Sequence, residues 1–368
     1  MSDMKIRKIE VYPVKLKFKT DFKISRGSVG SPKTKAPHIF IKITTVDGLV
    51  GWGEARPSHR WSYETEETVV TTIQNYLAPM LIGADASEIE IIHQIMSREI
   101  APGFNIGQPI AKSAIDMAVY DLLSKRANVS LRDYLRKSKT NKIPLSYMVS
   151  VTSPEEAFAV AEQARREGYT GFKIKIGIEP KKDIEIVKSV KSVVKEGYFW
   201  VDGNQAYSVK DAIQLANQLE KIGVNVFEQP IAANNLFGLK EVVNKVDISI
   251  AVDESVYSPI DLIQLIKLKA LDMLVIKVSK MGGLFYAQQC IQIAQDAGIG
   301  LLGSGLTETR FGLAASAQLY AAYGIKNPVD LNGPQFLAED VVAEGQLKIE
   351  NGFVKLPQRL GIGVKLLI

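Results

Sequence analysis

A closed parallel α/β barrel, preceded by a smaller α+β unit, is the fold this sequence predicts, and three observations carry it. From about residue 143, short apolar runs alternate with helical stretches: PLSYMVSV, GFKIKI, YFWVDG, VNVFEQP, ISIAVDE, LDMLVIKV, GIGLLG and NPVDLNG. The repeat of roughly 24 to 29 residues is that of successive strand-and-helix units, and seven or eight in a row suit a closed ring better than an open sheet. No Gly-x-Gly-x-x-Gly follows a strand, which counts against an open doubly wound fold.

Before the barrel, residues 5 to 55 show period-two runs, as in KIEVYPVKLKF and PHIFIKITTVDGLVGWGEA, with Asp47-Gly48 marking a tight turn between two strands of an antiparallel sheet. Helices are expected near residues 63 to 81, 87 to 100 and 110 to 127; Ser87, with Glu90 three residues later, reads as a capping box for the second. Within the barrel, Ser153-Pro154-Glu155-Glu156 and Ser258-Pro259-Ile260-Asp261 each place a serine cap before a first-turn proline and an acid. After residue 333, QLKIENGFVKLP alternates like an edge strand with an Asn-Gly turn, and GIGVKLLI ends the sequence. This tail is expected to pack back on the first unit, giving an N-terminal unit (1–128), a barrel (129–332) and a returning segment (333–368).

At 368 residues and 46% hydrophobic content the chain can bury a large core, so disorder is not expected. The net charge of +5 is modest and Lys and Arg form no long run, which points away from nucleic acid and towards a small anionic molecule. Cys290, the sole cysteine, lies in the apolar stretch AQQCIQIAQ and reads as an inert helix residue. The N-terminal residues alternate charged and apolar and no apolar run reaches the ~18 residues of a spanning helix, so neither a signal peptide nor a membrane partner is expected. The expected setting is soluble and cytoplasmic.

The chemistry-bearing residues fall in the same rhythm. Asp202 in FWVDGNQ, Glu228 in VFEQP and Asp253 in IAVDES each end an apolar run, so all three are expected at the barrel mouth formed by the C-terminal ends of the strands. A strand-end acid often caps the next helix; three in register do not read that way. Three hard oxygen donors favour Mg²⁺, with Mn²⁺ as an alternative. Lys173 and Lys175 in GFKIKIG lie one unit before the first acid, and Lys277 in LVIKVSK one unit after the last. Two ammonium groups close together are expected to repel, lowering the pKa of one and making a usable base; Lys175, nearer the strand end, is the better candidate. Lys277 would approach from the opposite side, an arrangement that can remove a proton from one face of a carbon and return it to the other. His38, His59 and His93 all precede residue 129, which excludes a barrel built on histidine zinc ligands or a Ser-His-Asp triad.

In this order the motifs resemble the muconate-lactonising subgroup of the enolase superfamily, whose pattern is Lys-x-Lys, Asp-x-Asn, Glu-Gln-Pro, Asp-Glu, and Lys followed by Gly-Gly. Here these are Lys173 to Lys175, Asp202 to Asn204, Glu228 to Pro230, Asp253-Glu254, and Lys277 before Gly282-Gly283. The resemblance covers the whole chain and implies a modified TIM (β/α)7β barrel with an α+β capping domain. It further implies that Asp202, Glu228 and Asp253 ligate Mg²⁺, that Lys175 and Lys277 form the acid/base pair, that Lys173 assists substrate binding and tunes Lys175, and that Asn204 supports the site. It implies homo-oligomers, dimers or octamers. The mandelate-racemase-like subgroup, with a histidine where Lys175 stands, does not match.

The expected activity is that of an isomerase abstracting the α-proton of a small carboxylate substrate through an enediolate, by racemisation, epimerisation or muconate-type cycloisomerisation. A lyase of the same site, of the dehydratase or o-succinylbenzoate-synthase kind, is the alternative, and a non-catalytic binding protein a third. Specificity is expected from the loops Phe22 to Arg26 and Arg56 to Tyr63 and from the last two strands. In the second loop Arg56, His59, Arg60, Trp61 and Tyr63 would suit a second anionic group and a flat apolar surface, against the reading of an ordinary solvated loop, and Arg26 is the substrate-binding candidate of the first. Glu308 either faces the mouth or pairs with Arg310 at the surface. Dipeptide epimerases resemble each other in an Asp-x-Asp on strand eight that holds the substrate ammonium; Asp330-Leu331-Asn332 leaves one acid there, which counts against dipeptides.

Overall fold

Period-two alternation builds β1 (Ile6–Lys17), a short hairpin of β2 (Phe22–Ile24) and β3 (Gly27–Gly30), then β4 (Lys35–Thr45) and β5 (Val50–Ala55). The computed structural model describes residues 4–103, 105–194 and 196–368. Strands β1, β4 and β5 form an antiparallel sheet, with Asp47-Gly48 in the turn between the last two and Gly48 at φ +87°. A helical run follows as α1 (Glu66–Thr71), a π-helical turn (Thr72–Leu77) and α2 (Ala78–Leu81). The wider turn precedes Pro79, which has no N–H to give and whose ring would crowd the carbonyl four residues back. Helix α3 (Ile89–Glu99) starts without the expected serine cap, because the Ser87 hydroxyl donates to Asp85 Oδ1 at 2.6 Å.

Helix α4 (Pro109–Arg126) is buried on all sides along most of its length, as expected of a helix sandwiched between two layers. One layer is the capping sheet, whose Gly51 and Gly53 let it come close: a Cβ on Gly53 would stand 1.8 Å from the Ala114 carbonyl oxygen. After α5 (Leu131–Leu135) and β6 (Lys142–Pro144) the barrel begins.

Its strands are β7 (Ser146–Val149), β8 (Gly171–Lys175), β9 (Tyr198–Asp202), β10 (Val226–Glu228), β11 (Ser249–Val252), β12 (Met273–Ile276) and β13 (Gly300–Gly303), all parallel and in sequential order. Between them run α6 (Pro154–Arg166), α7 (Pro180–Val193), α8 (Val209–Ile222), α9 (Leu236–Lys245), α10 (Pro259–Leu268) and α11 (Leu284–Asp296), and α12 (Arg310–Ala322) follows β13. The serine caps expected at Ser153 and Ser258 are present, accepting from the backbone N–H groups of Glu156 and Asp261. The Gly298-x-Gly300-x-x-Gly303 spacing falls on the turn into β13 and on the strand itself, where no dinucleotide fingerprint sits. Val329 and Asp330 bridge β7 and β13 through Leu145 and Ser304, closing the ring with an eighth strand. This is the (β/α)7β barrel.

The tail divides its contacts. After α13 (Gly333–Phe336), residues 336–338 pair with the end of β1 through Lys19 N to Phe336 O and Ala338 N to Lys17 O, both 2.8 Å. The hairpin of β14 (Ile349–Glu350) and β15 (Phe353–Lys355) joins β6 rather than the capping sheet, and Ile362 N donates to Asp121 on α4. Among the described residues no helix is long and apolar enough to cross a membrane.

Two carboxylates of the capping domain lock it to the barrel by occupying the N-termini of barrel helices, where backbone N–H groups lack partners. Glu54 on β5 accepts from Thr309 N, Thr309 Oγ1 and Gly312 N at the start of α12, and from His38 Nδ1 at 2.7 Å. Asp116 on α4 accepts from Leu284 N and Phe285 N at the start of α11 and pairs with His93 Nε2 at 2.8 Å. Gly283 is required there: a Cβ would stand 2.1 Å from the Asp116 carboxyl carbon, and its φ is +121°. Asp116→Ala should strand two buried N–H groups and a histidine, lowering unfolding free energy by about 2–4 kcal/mol in urea titration; a loss below about 0.5 kcal/mol would show that the seam is held elsewhere.

Candidate active site

Parallel register places the charged residues in one row. Lys175 pairs with Asp202, Asp202 with Glu228, and Glu228 with Ala251, two residues before Asp253. Since every second residue of a strand faces the same side, these side chains all point into the barrel. The residues two places earlier form a floor: Trp200, Val226, Ala251, Val275 and Leu302 make a separate buried apolar cluster beneath Asp202, Glu228, Asp253, Lys277 and Ser304. Lys173 shares this lower level, with its Nζ 4.5 Å from the centre of the Trp200 ring.

The floor closes the charged layer from below, and the charges of that layer balance one another. Lys173 Nζ lies 3.2 Å from Asp202, 2.9 Å from Glu228 and 3.1 Å from Asp330. Lys175 Nζ donates to Asp202 Oδ2 at 2.6 Å and to Asn204 Oδ1 at 2.9 Å. Across the mouth, Lys277 Nζ meets Asp253 Oδ2 at 2.5 Å, and Lys280 Nζ meets Asp253 Oδ1 at 2.8 Å. Among the described residues, no three carboxylates converge on one point; the lysine ammonium groups stand between them.

Burial opposes charge on all of these groups, and their neighbours decide the outcome. Burial lowers Lys173, but Glu228, Asp330 and Asp202 more than reverse this and hold it well above the usual lysine range. Lys277 is likewise raised, its burial outweighed by Asp253. Of Lys173 and Lys175, the pair expected to contain one depressed amine, Lys173 is not that amine, because three carboxylates lie within 3.2 Å of it. Asp202 and Asp253 are held below the usual carboxylate range, burial being outweighed by Lys175 for the first and Lys277 for the second. Glu228 goes the other way, raised by burial and by Asp202 beside it.

Three contributors were given no role from the sequence, although Glu254 and Gln229 stand in its motifs. Lys280 fixes Asp253; three residues after Lys277 in a small, apolar stretch, it was visible but had no role to distinguish it. Glu254 accepts from Asn204 Nδ2 at 3.1 Å and Gln205 Nε2 at 3.2 Å, tying two loops together. Gln229 accepts from Asp253 N at 2.9 Å and donates to Ser255 Oγ at 2.9 Å, fastening β10 to the loop after β11. Asn204, Gln205, Gln229 and Thr307 all have positive φ (40°, 70°, 36° and 68°), so strained backbone gathers at the mouth.

Above the row the capping domain roofs a narrow cavity. Its wall includes Lys175 and Lys277, Asp330 and Asn332 from the eighth strand, and Trp61 from the cap. The Lys277 Nζ stands 4.4 Å from the centre of the Trp61 ring. The other cap and loop candidates lie elsewhere. Arg26 is exposed and off the wall. Arg56 is buried, donating to the Pro57 carbonyl in the field of Glu308 and Glu54. Tyr63 is half exposed and holds the loop before α4 through Asn105 and Gln108 N. Glu308 neither faces the cavity nor pairs with Arg310; it accepts from Ser279 Oγ at 2.7 Å, while Arg310 pairs with Asp340. A wider cleft, about 1060 Å³, lies outside the barrel between β7 and residues 342–352 and touches none of these lysines.

Lys173→Met should destabilise the fold by about 3–5 kcal/mol at neutral pH, because three buried carboxylates lose their shared cation. The deficit should shrink as pH falls, since Glu228, already raised, takes up a proton first; thermal melts across pH would show a constant deficit if the lysine served packing alone.

Residues 156–367 match the family model described as Enolase C-terminal domain-like, and residues 7–135 the N-terminal domain of mandelate racemase / muconate lactonizing enzyme. The chain is 29% identical over 367 residues to an N-succinyl-L-Arg/Lys racemase of Bacillus cereus, covering 99% of this chain and 96% of that one. It is 31% identical over 338 residues to the chloromuconate cycloisomerase CbnB of Cupriavidus necator, covering 90% of each. The crystal structure of a dipeptide epimerase from Enterococcus faecalis V583, complexed with Mg and the dipeptide L-Leu-L-Tyr, superposes with a TM-score of 0.91 at 30% identity, covering 98% of this chain and 100% of that one. With both domains matched, the chain belongs to the enolase superfamily, in the branch of mandelate racemase and muconate lactonizing enzymes.

Proposed function

We propose that this enzyme racemises or epimerises a carboxylate substrate by moving its α-proton between Lys175 and Lys277. The observation that carries the reading is the placement of these two lysines. Their strands, β8 and β12, are four apart in a ring of eight, so the ammonium groups face each other across the cavity, whose wall includes both. A carbon held between them exposes one face to each. Lys175, held by Asp202 and Asn204, takes or gives the proton on one side; Lys277, held by Asp253 and the Trp61 ring, does so on the other. Lys173 lies deeper and serves to balance the carboxylates.

The donor set fits a divalent cation. Asp202, Glu228 and Asp253 are three wholly buried hard oxygen donors, and Glu228 Oε2, 2.9 Å from Lys173 Nζ, makes no hydrogen bond. These three residues would hold Mg²⁺, with Mn²⁺ an acceptable substitute. When bound, such a cation offsets the negative charge that gathers on a carboxylate as its α-proton leaves. Asn204, Glu254 and Lys280 hold the ligands in place.

Proton NMR in D₂O tests the reading. Each of Lys175→Ala and Lys277→Ala should abolish racemisation, losing about 10³-fold or more, while each variant still exchanges the α-proton of the enantiomer facing its remaining lysine. Exchange of both enantiomers by either variant would overturn the two-base assignment. Chelation of divalent cations should silence the enzyme and Mg²⁺ should restore it; full turnover in excess chelator would remove the metal from the proposal.

A further inference from the structure

We propose that a second binding site lies outside the barrel, in the cleft between β7 and residues 342–352, and that it takes a small zwitterion with an apolar body, a free amino acid or a short peptide. The ammonium group sits against Tyr147, Tyr169 and Glu167, and the carboxylate against Lys19. This goes beyond the proton-transfer reading and does not depend on it.

The cleft exists because no full helix follows the eighth strand. In a complete barrel a ring of helices covers the strands from outside. Here α13 is four residues long, and residues 342–352 line the far side of the gap it leaves. The opening of about 1060 Å³ has room for a small ligand. Met148 borders both this cleft and the catalytic cavity, but Gln335 accepts from its N–H at 3.0 Å and donates to its carbonyl at 2.6 Å, filling the strand edge between them. Met148 is level with Lys173 and faces into the barrel, so Tyr147 beside it faces out into the cleft.

Tyr147 and Tyr169 meet edge to face, with ring centres 5.0 Å apart and planes at 83°. Glu167 stands near both: after burial, its charge is what raises their hydroxyls above the usual tyrosine range. Two perpendicular rings beside a carboxylate make a seat for an ammonium group, which the ring faces and the anion both attract. Elsewhere on the wall, Lys19 Nζ gives one proton to the Pro334 carbonyl at 2.7 Å and has two left. Burial and the nearby Arg310 guanidinium lower the Lys19 pKa, and Glu167 offsets part of this from a distance. Among the described residues neither Lys19 nor Glu167 is in an ion pair, whereas Arg310 is matched by Asp340. An ammonium and a carboxylate that attract without touching are the complement of a zwitterion. A simple anion would be repelled by Glu167, and a simple amine by Lys19 and Arg310. Between them Val151, Val160 and Leu347 suit an apolar body.

The test uses the whole protein with Mg²⁺ and reads the site directly. Lysines are acetylated with acetic anhydride, and labelling of Lys19 is measured by mass spectrometry relative to Lys8, which is exposed on the capping sheet. The probes are L-phenylalanine, glycyl-L-phenylalanine and diglycyl-L-phenylalanine, each beside its N-acetyl form and its C-terminal amide. At least one free probe should cut Lys19 labelling roughly threefold or more, and each of its capped forms should need about fivefold more to match it. The length that succeeds distinguishes a free amino acid from a peptide. Glu167→Gln, at an exposed position, should bring that free probe down to the level of its N-acetyl form. Capped forms that protect as well as the free probes at every length, no protection by any probe, or a Glu167→Gln protein that keeps the difference would each overturn the site.

Discussion

Keeping like charges side by side in a buried layer is the constraint on which the rest of this molecule depends. Asp202, Glu228 and Asp253 are each wholly buried, as are Lys173 and Lys280, and Lys175 and Lys277 are nearly so. A buried charge is tolerated only when paired and hydrogen-bonded, so each of these groups requires a specific partner at short range. That requirement explains features that otherwise look unrelated: the apolar floor that holds Trp200 against Lys173, the positive-φ residues that aim Asn204 and Gln229, and the extra lysine at position 280.

The cap is the second half of that arrangement. It supplies Trp61 over Lys277, and it is fixed to the barrel at the starts of α11 and α12, the helices that follow β12 and β13. Glu54 and Asp116 therefore act at the seam through rigid elements, with the loops that carry Lys277 and Thr307 lying between anchored ends. A roof set by buried carboxylates on helix N-termini is stiffer than one resting on surface loops.

Much of this was legible in the sequence because it is periodic. Strands about one unit apart, each ending in an acid or lysine, announced both the barrel and the charged row, and His38, His59 and His93 all falling before the barrel removed competing chemistries. What was not legible depends on long-range pairing. Arg56 and Tyr63 have the right composition for a binding loop, yet burial beside Glu54 and Glu308 takes one, and the loop before α4 takes the other. Ser87 met the capping-box spacing, but Asp85, two residues earlier, captured its hydroxyl. The raised pKa values of Lys173 and Lys277 likewise follow from distances to carboxylates on neighbouring strands, which spacing along one strand does not reveal.

The barrel-helix partners of Glu54 lie 255 and 258 positions further along the chain, at Thr309 and Gly312, and Asp121 accepts from Ile362, 241 positions on. A ribosome delivers the capping residues first, so for most of synthesis these carboxylates have no helix N-terminus or tail to accept from. The capping domain can assemble its sheet and α4 early, but its polar interior is completed only when the C-terminal residues emerge. Segments far apart in the chain, at Trp52 and Ile362, are thus brought together on one carboxylate of α4, and a chain interrupted before residue 362 would expose the same buried acids that hold the finished protein closed.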